Sequence, residues 1–316
     1  MKKVVIMESL GVGREELDAL EKPFEALGVT FARYPRTADP EALVRQAADA
    51  DAVIIANMPF PAHVIRRCEK LKFIDVAFTG VDHVGLEAAR ERGITVSNAS
   101  GYSNEAVSEL VLGMALSLLR NIPQVQQRCR AGLTKEGLVG GELRGKTVGV
   151  IGFGRIGRRT AELVRAFGCP VLAHSRHLKP DAPDWVEQVS REELLRRSDI
   201  VVLHCPLNDS TRGMIDYAAL RSMKPTALLI NVARGPVVVE KDLARALAEG
   251  VIAGAAVDVF DVEPPLPPET PLLHAPHALL TPHVAFATAE SMTLRAEIVF
   301  DNLRAWLAGE PKNVVL

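Results

Sequence analysis

The sequence predicts an α/β protein with two parallel sheets, and three observations carry that prediction. In the first hundred residues, short apolar runs alternate with helical patterns. A second series of the same kind begins at Thr147, after a polar, glycine-rich stretch. At its head, Gly152, Gly154 and Gly157 form G-x-G-x-x-G directly after an apolar run and ahead of a helical one. Strand and helix signals in alternation indicate right-handed βαβ units and hence parallel sheets. A chain of 316 residues is long enough to build two cores.

In the first series, "KVVIM" (3–7), "VTFAR" (29–33), "DAVIIA" (51–56), "KFIDVA" (72–77) and "ITVS" (94–97) read as strands. Helical patterns lie between them, for example over 40–49 and 83–92. The runs are nearly continuous in apolar character, as strands covered on both faces should be. A long helix follows, with Ser103 as the expected N-cap and Glu105 in its positive first turn. Residues 121–147 are polar and glycine-rich and read as an arm or loop between domains. In the second series, "TVGVI" (147–151), "PVLAH" (170–174), "DIVVLH" (199–204), "TALLIN" (226–231), "IAGAAV" (252–257) and "ALLT" (278–281) read as strands.

Composition excludes several functions. Thirty-seven basic and 39 acidic residues give a formal net charge of −2, with no global pull toward nucleic acid or anionic membrane. The apolar stretch "AVSELVLGMALSLL" (106–119) is interrupted by Ser108 and Glu109 and is too short to span a bilayer, so it reads as a buried helix. The N-terminal apolar run, Val4 to Met7, is too short for a secretory signal, which points to a cytoplasmic protein. The four cysteines, Cys68, Cys129, Cys169 and Cys205, have no metal-ligand spacing and read as small buried apolar residues; no metal is expected.

The segment "GVIGFGRIGRRTAELVRAFGCPVLAHSRH" (149–177) carries the cofactor prediction. Gly152 permits a tight turn, Gly154 lets the backbone approach a pyrophosphate, and Gly157 lets helix and strand pack closely. The N-terminus of the following helix offers free N–H groups and a positive dipole end to phosphates. This is a Rossmann-like dinucleotide site. Such a site for NAD usually has an Asp or Glu at the end of the second strand, where it holds the adenosine ribose. Here that position reads Ser175, Arg176 and His177, with Lys179 close behind. A hydroxyl and a guanidinium match a 2′-phosphate. NADP is therefore the expected cofactor, with NAD as the alternative if Arg176 only stacks on adenine.

Three further stretches fall at predicted strand ends, where open α/β sheets hold ligands. "LINVARGPVV" (229–238), "AAVDVFDVEPP" (255–265) and "LLTPHVAFAT" (279–288) supply Arg234, Asp258, Glu263 and His283. Together with "AFTGVDHVGLEAARERGITVSN", "VGVIGFGRIG" and "LHCPLNDSTRGMI", these stretches resemble the D-isomer-specific 2-hydroxyacid dehydrogenase family. The resemblance covers essentially the whole chain.

The resemblance implies hydride transfer between a nicotinamide and a small 2-keto or 2-hydroxy acid, with roles that make chemical sense. A guanidinium fork matches a carboxylate and polarises the adjacent carbonyl, a role assigned to Arg234. Histidine ordinarily titrates near neutrality, so His283 suits proton exchange with the substrate oxygen. Glu263 would orient it, and Asp258 would hold the nicotinamide carboxamide. The remaining cofactor contacts would be Val107, Arg155, Ile156, Cys205, Pro206, Thr211, Val232, Ala233, His283 and Ala285. Val107 would touch the nicotinamide face, and Cys205 would pack rather than act as a nucleophile. Phe78, Thr79 and Gly80 would contact the substrate, the last two through backbone N–H groups, and the loop "NMPFP" (57–61) would line the side-chain pocket.

The implied fold is a pair of Rossmann-like and flavodoxin-like parallel-sheet domains. A dinucleotide-binding domain, 100–285, is inserted in a substrate domain made of 1–99 and 286–316. The segment 121–147 would embrace a second subunit, giving a homodimer. One departure stands out: "HVAFAT" follows His283 with no glycine, so Phe286 either narrows the pocket or packs. Glyoxylate and hydroxypyruvate are the implied substrates. The alternatives are NAD-linked D-lactate, D-hydroxyisocaproate or D-3-phosphoglycerate dehydrogenase, and, in another class, a dinucleotide-sensing binding protein.

Overall fold

The structure is a computed structural model that describes residues 2–316. The chain divides into two compact units, Met1–Ser103 with Ala287–Leu316, and Asn104–Phe286.

The first unit alternates β1 (Lys2–Ile6), α1 (Arg14–Glu25), β2 (Val29–Arg33), α2 (Pro40–Ala47), β3 (Ala52–Ile55), α3 (Ala62–Arg67), β4 (Phe73–Val76), α4 (Leu86–Glu91) and β5 (Thr95–Asn98). Its five strands run parallel in the order β2-β1-β3-β4-β5. β3 and β4 are buried along their whole length; β3 reads as an unbroken apolar run, and β4 is interrupted only by Asp75. Asp39 caps α2 by accepting from the Glu41 and Ala42 amides, and Pro40 opens the helix.

The second unit opens with α5 (Asn104–Leu119) and α6 (Ile122–Arg130). Then follow β6 (Val148–Ile151), α7 (Arg155–Ala166), β7 (Val171–His174), β8 (Val186–Gln188), α8 (Arg191–Arg197), β9 (Ile200–Leu203), α9 (Tyr217–Ser222), β10 (Leu228–Asn231), α10 (Glu240–Ala248), β11 (Gly254–Val257) and β12 (Ala278–Leu280). The seven strands form one sheet in the order β12-β11-β10-β9-β6-β7-β8. Side chains alternate between its two faces. Ile151, Leu203, Leu229 and Val257 enter one core, with residues of α8, α9 and α10. Val148, Val150, Val202 and Ile230 enter the other, with residues of α5 and α7. The turn from strand order 3-2-1 to 4-5-6 falls between β6 and β9, the crevice where such sheets hold ligands.

The chain returns to the first unit through α11 (Ala289–Leu307), opened by a Thr288–Ser291 capping box. Phe300 meets Phe24 edge-on at 5.7 Å, and Trp306 stacks on Phe73 at 4.9 Å. Asn302 Nδ2 donates to Asp75 Oδ1 at 3.1 Å and to the Asn98 carbonyl at 3.0 Å. The last residues pair with β5 through Val96 and Val315.

Three readings need correction. Residues 122–130 of the expected loop are helical, as α6. That helix buries no residue, and its apolar stripe is only Ile122, Val125 and Cys129, set among polar residues and glycines that read as loop. β8 gives no strand signal in sequence, because it has three residues and only one of them is buried. Cys129 lies exposed on α6, whereas Cys68, Cys169 and Cys205 are buried. Among the described residues, no single helix is long and apolar enough to cross a membrane.

Candidate active site

The glycine loop after β6 is built by three different constraints. Gly152 has φ +99°, and a Cβ there would sit 2.5 Å from the Cys205 nitrogen and the His204 carbonyl carbon. Only glycine fits, so the loop can pass beside the end of β9. A Cβ on Gly157 would lie 2.2 Å from the Gly152 oxygen, so α7 packs back onto the turn only without one. Gly154 has nothing within 4 Å of the corresponding position and is exposed. Its open side is the space a pyrophosphate would need, at the N-terminus of a twelve-residue helix.

A cavity of about 570 Å³ opens beside this loop. Its wall contains seven of the expected cofactor residues: Gly152, Gly154, Ser175, Arg176, Cys205, Pro206 and Thr211. Among the described residues, it does not include Val107, Arg155, Ile156, Gly157, Val232, Ala233, Asp258, His283 or Ala285. It adds residues that the sequence reading did not single out, among them His174, Ser190, Arg191, Glu192 and His204. His204 has a legible signal, since it is the last residue of the predicted strand 199–204, and open α/β sheets hold ligands at strand ends. Ser190 to Glu192 had none, because only the three-dimensional pairing of β7 with β8 brings them here.

Ser175 Oγ accepts from the Phe153 amide at 3.1 Å, which ties the end of β7 to the glycine loop and leaves its hydroxyl hydrogen to donate. Arg176 is exposed. Thr211 Oγ1 donates to the Pro206 carbonyl at 2.6 Å and accepts from the Asn208 amide at 2.9 Å, closing the turn after Pro206. Burial pushes the Cys205 thiol up to about 11, which makes a thiolate nucleophile unfavourable there.

Arg234, Asp258, Glu263 and His283 lie in loops after three adjacent strands. The register pairs Asn231 with Val257 and Val257 with Leu280, so the loops leave the sheet at one level. Asn231 Oδ1 accepts from the Ala233 amide at 3.1 Å and its Nδ2 donates to the Arg234 carbonyl at 3.0 Å, which folds "NVAR" into a turn carrying Val232 and Ala233. A Cβ on Gly235 would lie 2.0 Å from the Phe260 carbonyl, so this loop sits directly against the one after β11.

Asp258 is fully buried and organises the third loop. Its Oδ1 accepts from Thr281 Oγ1 at 2.5 Å and the Val284 amide at 2.9 Å, and its Oδ2 accepts from the Ala285 amide at 2.8 Å. Burial raises its carboxyl above the usual range, while these donors pull it down. The His283 amide donates to the Asp258 carbonyl at 2.8 Å, and His283 itself has φ +56°. A left-handed histidine is costly and persists only where its surroundings hold it. Its Nδ1 lies 2.6 Å from Glu263 Oε2, and its ring meets Phe286 edge-on at 5.5 Å. Glu263 is 45% exposed and His283 only 12%, so the carboxylate covers the solvent side of the pair.

In the first unit, Phe78, Thr79 and Gly80 follow β4. The Phe78 ring is 6.1 Å from Tyr102, and Asn98 Nδ2 donates to the Thr79 carbonyl at 2.7 Å. Within "NMPFP", Met58 and Phe60 have no exposed surface, so only Asn57, Pro59 and Pro61 offer any to a ligand.

A parallel sheet with a glycine-loop dinucleotide cradle and an Arg, Glu and His at its strand ends defines a nicotinamide-dependent oxidoreductase. The model of the D-isomer specific 2-hydroxyacid dehydrogenase NAD-binding domain matches residues 112–285. The chain is 33% identical to a hydroxypyruvate reductase from Blautia hydrogenotrophica, over 99% of each chain. It is 39% identical to a glyoxylate reductase from Thermofilum pendens, over 85% of this chain and 82% of that one. The crystal structure of a glyoxylate reductase from Paecilomyes thermophila, 31% identical, superimposes with a TM-score of 0.90 over 99% of this chain and 98% of its own. The chain belongs to the D-isomer specific 2-hydroxyacid dehydrogenase family, NAD(P)-dependent oxidoreductases acting on 2-hydroxy acids.

Proposed function

We propose that this chain reduces a small 2-keto acid, glyoxylate or hydroxypyruvate, to the D-2-hydroxy acid with NADPH as the preferred cofactor. The observation that carries the reading is the Glu263–His283 pair at 2.6 Å, level in the sheet with Arg234. A bound nicotinamide supplies the hydride. Arg234 offers its guanidinium to the substrate carboxylate and polarises the neighbouring carbonyl. Glu263 takes the Nδ1 hydrogen of His283, which leaves Nε2 as the atom that gives a proton to the nascent alkoxide, or takes one back in oxidation. By the family pattern Asp258 would hold the nicotinamide carboxamide, beside the three donors of the His283 loop that its carboxylate already accepts from. By the same family pattern, the Thr79 and Gly80 amides would bind a substrate carboxylate and Phe78 would line a side-chain pocket. The names of the hydroxypyruvate and glyoxylate reductases similar to this chain support the substrate class. Ser175 and Arg176, with no acid at the end of the second strand in sequence, support NADPH. A protein of cytoplasmic location and homodimeric assembly completes the proposal.

The test is a turnover screen of glyoxylate, hydroxypyruvate, pyruvate, 2-ketoisocaproate and 3-phosphohydroxypyruvate with NADPH and with NADH. The highest kcat/KM is expected for glyoxylate or hydroxypyruvate with NADPH. A clear preference for a branched or phosphorylated acid overturns the substrate. Dinucleotide binding with no turnover of any acid favours the sensing role.

A further inference from the structure

Behind the glycine loop, three side chains from three elements form a continuous chain. Ser108 Oγ on α5 donates to the Ile156 carbonyl at 3.3 Å. Thr160 Oγ1 on α7 donates to Ser108 Oγ at 3.2 Å. Thr160 Oγ1 also lies 2.9 Å from His204 Nε2, at the end of β9. Ser108 and Thr160 have no exposed surface.

Counting hydrogens gives the chain a direction. A carbonyl only accepts, so Ser108 commits its one hydrogen to Ile156. Thr160 then commits its one hydrogen to Ser108. Only a lone pair is left at Thr160, so His204 Nε2 carries the hydrogen on that side. Burial pulls the imidazole down to about 3, so the ring is neutral. A neutral ring with hydrogen on Nε2 has a bare lone pair on Nδ1.

His204 is also part of the cavity wall beside the phosphate loop. Its carbonyl carbon would lie 2.5 Å from a Cβ on Gly152, so its backbone touches the turn itself. It follows the strand on one side of the β6–β9 switch point. A lone acceptor here does not suit a phosphate, which is itself an acceptor. It suits the groups that flank a pyrophosphate in a dinucleotide, the riboses, whose hydroxyls donate.

We propose that His204 is a positioning residue for the dinucleotide: its Nδ1 accepts from a ribose hydroxyl, and the Thr160–Ser108 relay holds the ring in the tautomer that can do so. The inference rests on the cavity being the cofactor site. The relay also joins α5, which carries Val107, to the first turn of α7 and to the strand end that leads into Cys205 and Pro206. Neither the glycine motif nor the Arg–Glu–His set calls for it.

The intact protein with ¹⁵N-labelled histidine tests the tautomer by NMR, with and without NADPH. His204 is expected to carry hydrogen on Nε2 in both states. Thr160→Ser should keep that tautomer, and Thr160→Val should release it. Dissociation constants for NADPH and NADH test the contact. His204→Gln keeps a donor toward Thr160 but puts no acceptor at the Nδ1 position. It should weaken both cofactors about three- to tenfold, the value of one hydrogen bond, and move the cofactor KM more than kcat. His204→Asn places its amide oxygen near the Nδ1 position and should recover part of the loss. If His204→Gln does not fold, Thr160→Val against Thr160→Ser gives the same comparison in affinity. Hydrogen on Nδ1 in the wild type, or wild-type affinity in His204→Gln, overturns the proposal while leaving the cofactor site standing. A wild-type protein that binds neither dinucleotide overturns both.

Discussion

Gly154→Ala separates a glycine needed for folding from one needed for a ligand. The backbone at 154 is extended, with φ −88° and ψ −159°, which alanine adopts without strain. The added Cβ meets no atom within 4 Å. The unliganded variant should therefore keep its stability to within about 0.5 kcal/mol, with a slight gain from a stiffer unfolded chain. The liganded state should differ. If a pyrophosphate lies against this backbone, the methyl occupies space the phosphate oxygens need. Forcing one extra carbon into a packed contact costs about 1–3 kcal/mol, or about five- to 150-fold in Kd. Gly157→Ala supplies the contrast, because its Cβ would lie 2.2 Å from the Gly152 oxygen and must disturb the unliganded chain. Thermal unfolding without cofactor and calorimetric titration with NADPH give the two readouts. Wild-type affinity in Gly154→Ala would refute the reasoning, since no phosphate could then approach the chain at that point.

Other perturbations test the rest of the site. His283→Ala should keep NADPH affinity and lose about 10²–10⁴-fold in kcat, and unchanged keto-acid reduction would remove it from the chemistry. Glu263→Gln should cost about tenfold in kcat, the lower end for a charge-assisted hydrogen bond, because the carboxylate is nearly half exposed. At one low ionic strength, Arg176→Ala should lower the ratio of kcat/KM for NADPH over NADH about tenfold, and Ser175→Asp should lower it further by attracting the ribose and repelling the phosphate. An NADH-preferring wild type whose ratio ignores Arg176→Ala would contradict both expectations. Asp75 is wholly buried, and burial raises its carboxyl well above the usual value. The native chain therefore binds a proton that the unfolded chain releases. Its contribution is most favourable below the unfolded value of about 3.9 and is lost as pH rises through the native one. The stability of Asp75→Asn relative to wild type should accordingly grow with pH in urea titrations, and a pH-independent difference would show that Asp75 does not titrate in this way.

The parts of the molecule legible in sequence are those where one local rule sets the structure. Strands covered on both faces, such as β9 at Ile200–Leu203, are apolar runs in the sequence, and even the half-exposed edge strand β2 matches its expected bounds at Val29–Arg33. The glycines at 152, 154 and 157 follow from turn, approach and packing, and the structure gives each a distinct surrounding. Legibility fails where a neighbour supplies the reason. α6 has Ile122, Val125 and Cys129 at helical spacing but buries none of them, so its apolar stripe is short and amid polar residues it is easily read as loop. Ser175 could be read as a phosphate donor, but not as the acceptor for the Phe153 amide, because that bond joins residues 22 apart. The family resemblance implies that the loop 57–61 lines the pocket, but it does not tell which of its side chains turn inward, and Met58 and Phe60 do. Arg234, Glu263 and His283 were found through their strand ends and the family pattern. The 2.6 Å contact between Glu263 and His283 depends on loop conformations that no single stretch encodes.

Those loop conformations can be traced to a short series of causes. The sheet register sets the starting level, with Asn231, Val257 and Leu280 abreast. Gly235 then allows the Arg234 turn to close on the Phe260 carbonyl, an approach any side chain would block. Asp258 emerges at the end of β11 with no exposed surface, where an ionised carboxylate is tolerable only if donors surround it. The donors are Thr281 Oγ1 and the Val284 and Ala285 amides, and they come from the two sides of His283. Satisfying one buried carboxylate therefore bends the chain around His283 and holds it at φ +56°. Glu263 arrives from the same loop as Asp258 and meets the ring at Nδ1. Burial of Asp258 thus sets the backbone of the histidine and Glu263 sets its tautomer, a division that explains why two carboxylates of one loop differ so much in exposure.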